Sequence, residues 1–144
     1  MLITAIKQTS PGRLTVTLED EREIKTTLGV VTDLRLFSGR ELDEGGLEEL
    51  ERESRRALTR EKALEYLSRR AMSRKELEKK LTDKGYDEED AAHCAAWLSE
   101  RGLIDDASYA AAVARHYSAK GYGPGRIRSE LSRRGIDRDM WDEV

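Results

Sequence analysis

Apolar and polar positions alternate in short runs over residues 2–27: Leu2, Thr4 and Ile6, then Leu14, Val16 and Leu18, then Ile24. A period of two sends successive side chains to opposite faces of a strand. Pro11-Gly12 separates the first two runs and Glu19-Asp20-Glu21 the last two, so the segment predicts a three-stranded antiparallel meander. LGVVTDLRLF (28–37), stopped by Ser38-Gly39, predicts a short helix and a turn. So small a sheet needs an element packed on it, and this helix is the nearest one.

From about Asp43 the period becomes helical and stays so to the end. Leu47, Leu50, Ser54, Ala57, Leu58, Leu64 and Leu67 recur at three- and four-residue spacings, in one helix or in two broken near Thr59. Ser73-Arg74-Lys75-Glu76 is a capping-box signature: the serine accepts from the amide three residues on, and the glutamate reaches back. That helix runs to Lys84 and stops at Gly85, the residue type suited to a left-handed helix end. Asp87 starts the next helix, which ends at Gly102, and Asp105-Asp106 opens another that ends at Gly121.

A shift of fifty residues lays ELEKKLTDKGYDEE (76–89) on RIRSELSRRGIDRD (126–139). Leu77 falls on Ile127, Leu81 on Leu131, Gly85 on Gly135, Tyr86 on Ile136, Asp87 on Asp137, Met72 on Tyr122 and Tyr66 on His116. Apolar and glycine positions of the window keep their class, which marks an internal repeat of three helices in about fifty residues. Gly123-Pro124-Gly125 then occupies a helix start, with Pro124 near the first helical position, where its missing amide costs nothing. It is not a phosphate loop, because no GxxxxGK[ST] is present and no strand feeds the turn.

The two copies differ in charge. Ile127 and Leu131 define the buried stripe, and Arg126, Ser129, Glu130 and Arg133 are read as pointing away from it. The first copy carries Glu76, Lys79, Lys80 and Asp83 at those places, whereas the second is basic and adds Arg128 and Arg134. Seven basic residues stand against two acidic ones between Arg115 and Arg138, a local net of +5, although the whole chain is at −3. An isolated charge run reads as a solvated face. A complete repeat with one basic copy points instead to an anionic partner surface.

Composition narrows the classes. The chain has 144 residues, 38% hydrophobic and only eight aromatic (two Trp, five Tyr, one Phe), which suits thin cores between close-packed helices. Cys94 is the lone cysteine and sits in the apolar run AAHCAAWL, so it reads as a small buried residue in a reducing compartment. MLITAIKQTS does not read as a signal peptide and no segment approaches the roughly 20 apolar residues of a membrane span, so the expectation is a soluble, cytoplasmic protein without membrane contact. His93 and His116 lie far apart with no ligand set, Asp105-Asp106 reads as a helix start, and no nucleophile–base arrangement appears. The expectation is a chain that is not an enzyme, with no cofactor and no metal. Trp97 and Trp141 read as core residues of third helices.

ALEYLSRRAMSRKELEKKLTDKGY and GLIDDASYAAAVARHYSAKGYGPGRIRSELSRRGI together resemble the RecX family, regulators of the RecA recombinase. The resemblance covers roughly residues 57–139 and rests on the RR-x-x-S-R-x-E-L start, the D-D-x-x-Y-A turn and G-Y-G-P-x-R-I-x-x-E-L. The N-terminal module with its FSGREL turn is similar to the leader of some longer members. What this implies is a mainly α, non-enzymatic protein of tandem three-helix repeats lying along the groove of the RecA–DNA filament, where it blocks strand exchange, ATP turnover and co-protease activity. The partner is then the RecA filament, with DNA inside the filament as a second candidate contact, weak binding to naked DNA, and a monomeric regulator.

The expected organisation is a small β-rich module over 1–42, a first three-helix repeat with a lead-in helix over 43–104, and a second repeat over 105–144, incomplete at its C-terminus. The candidate partner-binding residues are Arg69, Arg70, Arg74, Lys75, Arg115, Lys120, Tyr122, Arg126, Arg128, Arg133 and Arg134. The rival readings are a small helical DNA-binding module and an adaptor without a recombinase partner. The net charge of −3 and the acidic runs ELDEGGLEELERE and DKGYDEED weigh against the DNA module.

Overall fold

The computed structural model describes residues 1–141. Three strands, β1 (Ile3–Ser10), β2 (Arg13–Leu18) and β3 (Glu23–Thr27), precede six helices: α1 (Leu28–Asp33), α2 (Glu44–Arg69), α3 (Arg74–Asp83), α4 (Glu88–Glu100), α5 (Asp106–Ala119) and α6 (Pro124–Arg133). A 3-10 turn, Arg138–Met140, follows. The chain is thus mainly α, with a small N-terminal sheet. It divides into two compact units, Met1–Glu61 and the part from Lys62 onward.

In the first unit the strands form an antiparallel meander in the order β1-β2-β3. The alternation over residues 2, 4 and 6 does not hold its phase. A bulge lies between Ile3 and Ala5, so Ile3 faces Leu18 while Ile6 faces Val16, and both turn to the same side. Ile3 is therefore fully buried and Thr4 exposed. Ile3, Val16, Leu18, Val30, Leu36, Leu42, Leu50 and Ala57 form the core, so α2 as well as α1 covers the sheet. Thr26 and Ser54 are buried in this unit and satisfy each other through a 2.8 Å hydrogen bond.

α2 runs without a break through Thr59, whose hydroxyl donates to the Arg55 carbonyl one turn back. In the second unit Ala63 and Tyr66 of this helix are buried with Met72, Leu77, Leu81, Ala91, Cys94, Ala95, Leu98 and Ile104. Leu64, read as part of the apolar stripe, is 41% exposed.

The punctuation of the second unit follows from its capping residues. Ser73 Oγ accepts from the Glu76 amide and the Ser73 amide donates to Glu76 Oε1, both at 3.1 Å, completing the capping box of α3. Asp87 accepts from the amides of Glu89 and Asp90 at the start of α4, and Asp105 from that of Ser108 at the start of α5. Gly85 and Gly135 follow α3 and α6 at φ +97° and +73°. These are left-handed conformations that glycine adopts without Cβ strain.

A further core joins α5 and α6: Ala110, Val113, Leu131, Ile136 and Trp141 are buried, with Tyr109, Tyr117 and Ile127 packed against them. The repeat is therefore visible in the packing, but two matched positions diverge. Tyr66 and Met72 are buried, whereas His116 is exposed and Tyr122 half-buried. The third helix expected after Asp137 is, among the described residues, only the 3-10 turn. Asp137 makes no side-chain cap there, and its carboxylate pairs with Lys75 instead. Trp141 is buried, as expected, with Nε1 donating to the Ile136 carbonyl at 3.1 Å, but it sits at the end of that turn rather than within an α-helix. Residues 142–144, the rest of the expected helix, lie outside the described residues.

Candidate partner-binding surface

The eleven candidate residues fall into groups that the sequence did not separate. Arg69 pairs with Glu65 at 2.9 Å, Arg70 with Glu76 at 3.4 Å, Arg74 with Glu78 at 3.4 Å and Lys75 with Asp137 at 3.2 Å. Each of these four cations is thus neutralised by a local carboxylate. The pairs are solvent-exposed and add little stability, but they leave no excess positive charge beside them.

On α6 the helical-wheel reading of Glu130 as outward-pointing is corrected. Its side chain is 18% exposed and holds two guanidinium groups, Arg133 through Nη2 and Nε and Arg134 through Nε at 2.9 Å. Hydrogen bonds from Arg133 and Arg134 depress the Glu130 carboxyl to about 2, against the opposing effect of its partial burial. Arg134 also turns inward, at 21% exposure, and donates to the Tyr109 hydroxyl at 2.7 Å and the Tyr117 hydroxyl at 3.3 Å. Burial pushes its pKa down, but the bonds to Glu130 and Tyr109 outweigh this and raise it, so its charge is secure inside the module. The i, i+3 and i, i+4 spacing to Glu130 was the available signal for both contacts.

Arg115, Lys120, Arg126 and Arg128 remain without a carboxylate partner among the described residues, and so does Arg138, which the sequence reading left out of the set. They gather in two places. Arg115, Arg128 and Arg138 line a cleft of about 790 Å³ between α5, α6 and the 3-10 turn, over a floor that includes Ile127, Leu131 and Trp141. Lys120, Tyr122 and Arg126 lie at the turn between α5 and α6. There the Tyr122 ring stacks on Tyr117 (5.0 Å between centroids, 19° between planes) and the Arg126 guanidinium covers Tyr122 at 3.9 Å. Such an exposed cation–π contact holds Arg126 in place for about 0.5–1 kcal/mol without neutralising it. Lys120 is 5.8 Å from the Tyr117 ring.

Asp105 caps α5, and its hydrogen bonds from Ser108 lower its carboxyl pKa, while Asp106 accepts from the Arg74 amide at 2.9 Å. Both carboxylates are thus occupied by backbone donors. Cys94 is buried, and among the described residues no cluster of His, Cys, Asp and Glu could hold a metal ion. No helix of the described chain is long and apolar enough to cross a membrane.

Comparison with known proteins places this arrangement. Residues 60–98 match the family model of the RecX first three-helix domain, and residues 105–144 that of the RecX second three-helix domain. The regulatory protein RecX of Pseudomonas entomophila is 40% identical over 84 residues, covering 58% of this chain and 54% of that protein. That of Stenotrophomonas maltophilia is 43% identical over 79 residues, 55% of this chain and 48% of the relative. The chain thus spans about half the length of these curated relatives. A crystal structure of a regulatory protein RecX superposes with a TM-score of 0.81 at 29% identity, covering 99% of this chain and 71% of the other. RecX from Lactobacillus salivarius gives 0.58 at 30% identity, covering 62% and 58%. Two successive family domains, in the order and at the positions of the two helical modules, establish that this chain belongs to the RecX family.

Proposed function

We propose that the chain is a non-enzymatic regulator that binds the RecA recombinase within its DNA filament and inhibits its recombinase, ATPase and co-protease activities. Membership of a family of regulatory proteins supports the class of function. The observation that carries the site is the contrast between neutralised and free cations. Arg69, Arg70, Arg74, Lys75, Arg133 and Arg134 already have carboxylates, whereas Arg115, Lys120, Arg126, Arg128 and Arg138 have none among the described residues. Unpaired guanidinium groups beside exposed aromatic and apolar surface can desolvate against a partner carrying carboxylates or phosphates.

The test compares free with paired arginines. The parent should co-sediment with RecA filaments on single-stranded DNA with a nucleotide analogue, and should slow RecA ATP hydrolysis. Arg126→Ala/Arg128→Ala should weaken both, with stability lowered by only about 1 kcal/mol, mostly from the lost Arg126–Tyr122 contact, because the sites are exposed. Arg133→Ala, whose charge Glu130 already neutralises, should change inhibition much less. Full inhibition by the double variant would move the partner surface elsewhere; a parent that ignores RecA with and without DNA would remove the RecA reading.

A further inference from the structure

The turn that follows α6 lies against the first turn of α3, sixty residues earlier. Gly135 is distinctive there. A β-carbon placed on it would stand 2.8 Å from Lys75 Cβ and 3.2 Å from Lys75 Cδ, whereas the left-handed glycines Gly85, Gly102 and Gly121 have nothing within 4 Å of that position. Gly135 is therefore needed for a close approach as well as for its φ of +73°. Around it the contacts are mutual. Ser73, fully buried, accepts from Glu76 within its own helix and donates to the Arg134 carbonyl at 2.5 Å. The Arg74 amide donates to Asp106, and Lys75 pairs with Asp137. Arg134, whose carbonyl takes the Ser73 hydroxyl, also donates to the Tyr109 hydroxyl of α5 at 2.7 Å, so α5 and the end of α6 meet the same end of α3.

We infer that this contact is a fitted joint that makes the two three-helix modules one body, with Ser73, Lys75 and Gly135 as the positioning residues that fix the α5–α6 surface against the α3 module. A loosely tethered pair of modules would need no glycine at the contact and no buried hydroxyl bonded in both directions. The joint stands independently of any partner. Only its consequence, that loosening it weakens binding by removing a preset spacing of contacts, rests on the RecA reading.

The joint is tested on the free protein. Spin labels at Lys84→Cys and Ala112→Cys, both exposed, report the distance between modules; Cys94, 1% exposed, stays unlabelled under native conditions. The parent should give a narrow distance distribution. Gly135→Ala should shift or broaden it and lower Tm more than Gly85→Ala, which carries the φ strain alone. Lys75→Gly removes the opposing β-carbon and should restore much of the excess loss in the double variant. Ser73→Gly, which largely preserves a helix N-cap, should broaden the distribution, and Ser73→Thr should not. A broad distribution in the parent, equal losses for the two glycine variants, or no recovery with Lys75→Gly would each overturn the joint. If Gly135→Ala does not fold, the Ser73 variants and Lys75→Gly alone still decide it, since an unchanged narrow distribution in Ser73→Gly counts against it. RecA binding measured on the same variants separates the two readings: a loosened joint with unchanged binding sinks only the consequence.

Discussion

Glu130 sits at the centre of the charge network on α6. Its carboxylate holds Arg133 and Arg134, and through Arg134 it orders the hydroxyls of Tyr109 and Tyr117 beneath α6. Because its pKa is depressed from the usual 4.5 to about 2, the linked stability is fully present above about pH 4.5 and is lost as pH falls toward 2. Glu130→Gln should cost about 1–2 kcal/mol at pH 7, the Arg133 contact being discounted for its exposure. Thermal unfolding of parent and variant between pH 7 and pH 3 should show their difference in Tm shrinking with acid. A constant difference would mean that the carboxylate charge is not what matters. None of this was legible on a helical wheel, which ranks positions by angle and placed Glu130 outward. An arginine long enough to reach back over the turn draws its carboxylate partially out of solvent. Gly135 was legible only in part. Its left-handed conformation follows from ending a helix, but the closeness of Lys75 depends on a contact across sixty residues.

Among the elements, helices with strong punctuation were read correctly and the phase of packing less so. The capping box at Ser73, the aspartates at 87 and 105 and the glycine stops each act within one turn, so local sequence specifies them. The bulge after Ile3 adds one residue to β1 and reverses the inward side, and no local signal announces it. Likewise Leu64 continues the leucine spacing of α2, but burial is set by what packs against the helix, and Ala63 and Tyr66 are taken instead. The difference has a measurable consequence. Leu131→Ala, at a site 2% exposed between α5 and α6, should cost about 2–5 kcal/mol. Leu64→Ala should stay within about 0.5 kcal/mol, since the residue is 41% exposed and alanine favours the helix. Chemical denaturation of the two variants checks the pair; similar losses in both would show that Leu64 packs in solution.

At the scale of the whole molecule, charge decides what the basic patch can do alone. Residues 1–61 carry ten Lys/Arg and thirteen Asp/Glu, and residues 62–144 sixteen of each, so the net −3 is spread over the first unit and the second is balanced. Five cations on α5, α6 and the turns that follow them, without a carboxylate partner among the described residues, are then a local feature on a chain that as a whole repels polyanions. Affinity for bare single-stranded DNA should therefore be weak, with a Kd above about 1 μM at physiological salt, in the range typical of non-specific electrostatic binding. A salt titration of fluorescence anisotropy measures this directly. Each phosphate contact on a single strand contributes about −0.7 to the slope of log K against log salt, so Arg126→Ala/Arg128→Ala should flatten the slope by about 1.4 if both side chains touch phosphates. An unchanged slope for the variant, beside a loss of RecA inhibition, would assign the two arginines to the protein partner. Sub-micromolar binding of the parent to naked strands would instead favour a DNA-binding module, with the Tyr117–Tyr122–Arg126 stack as its natural platform.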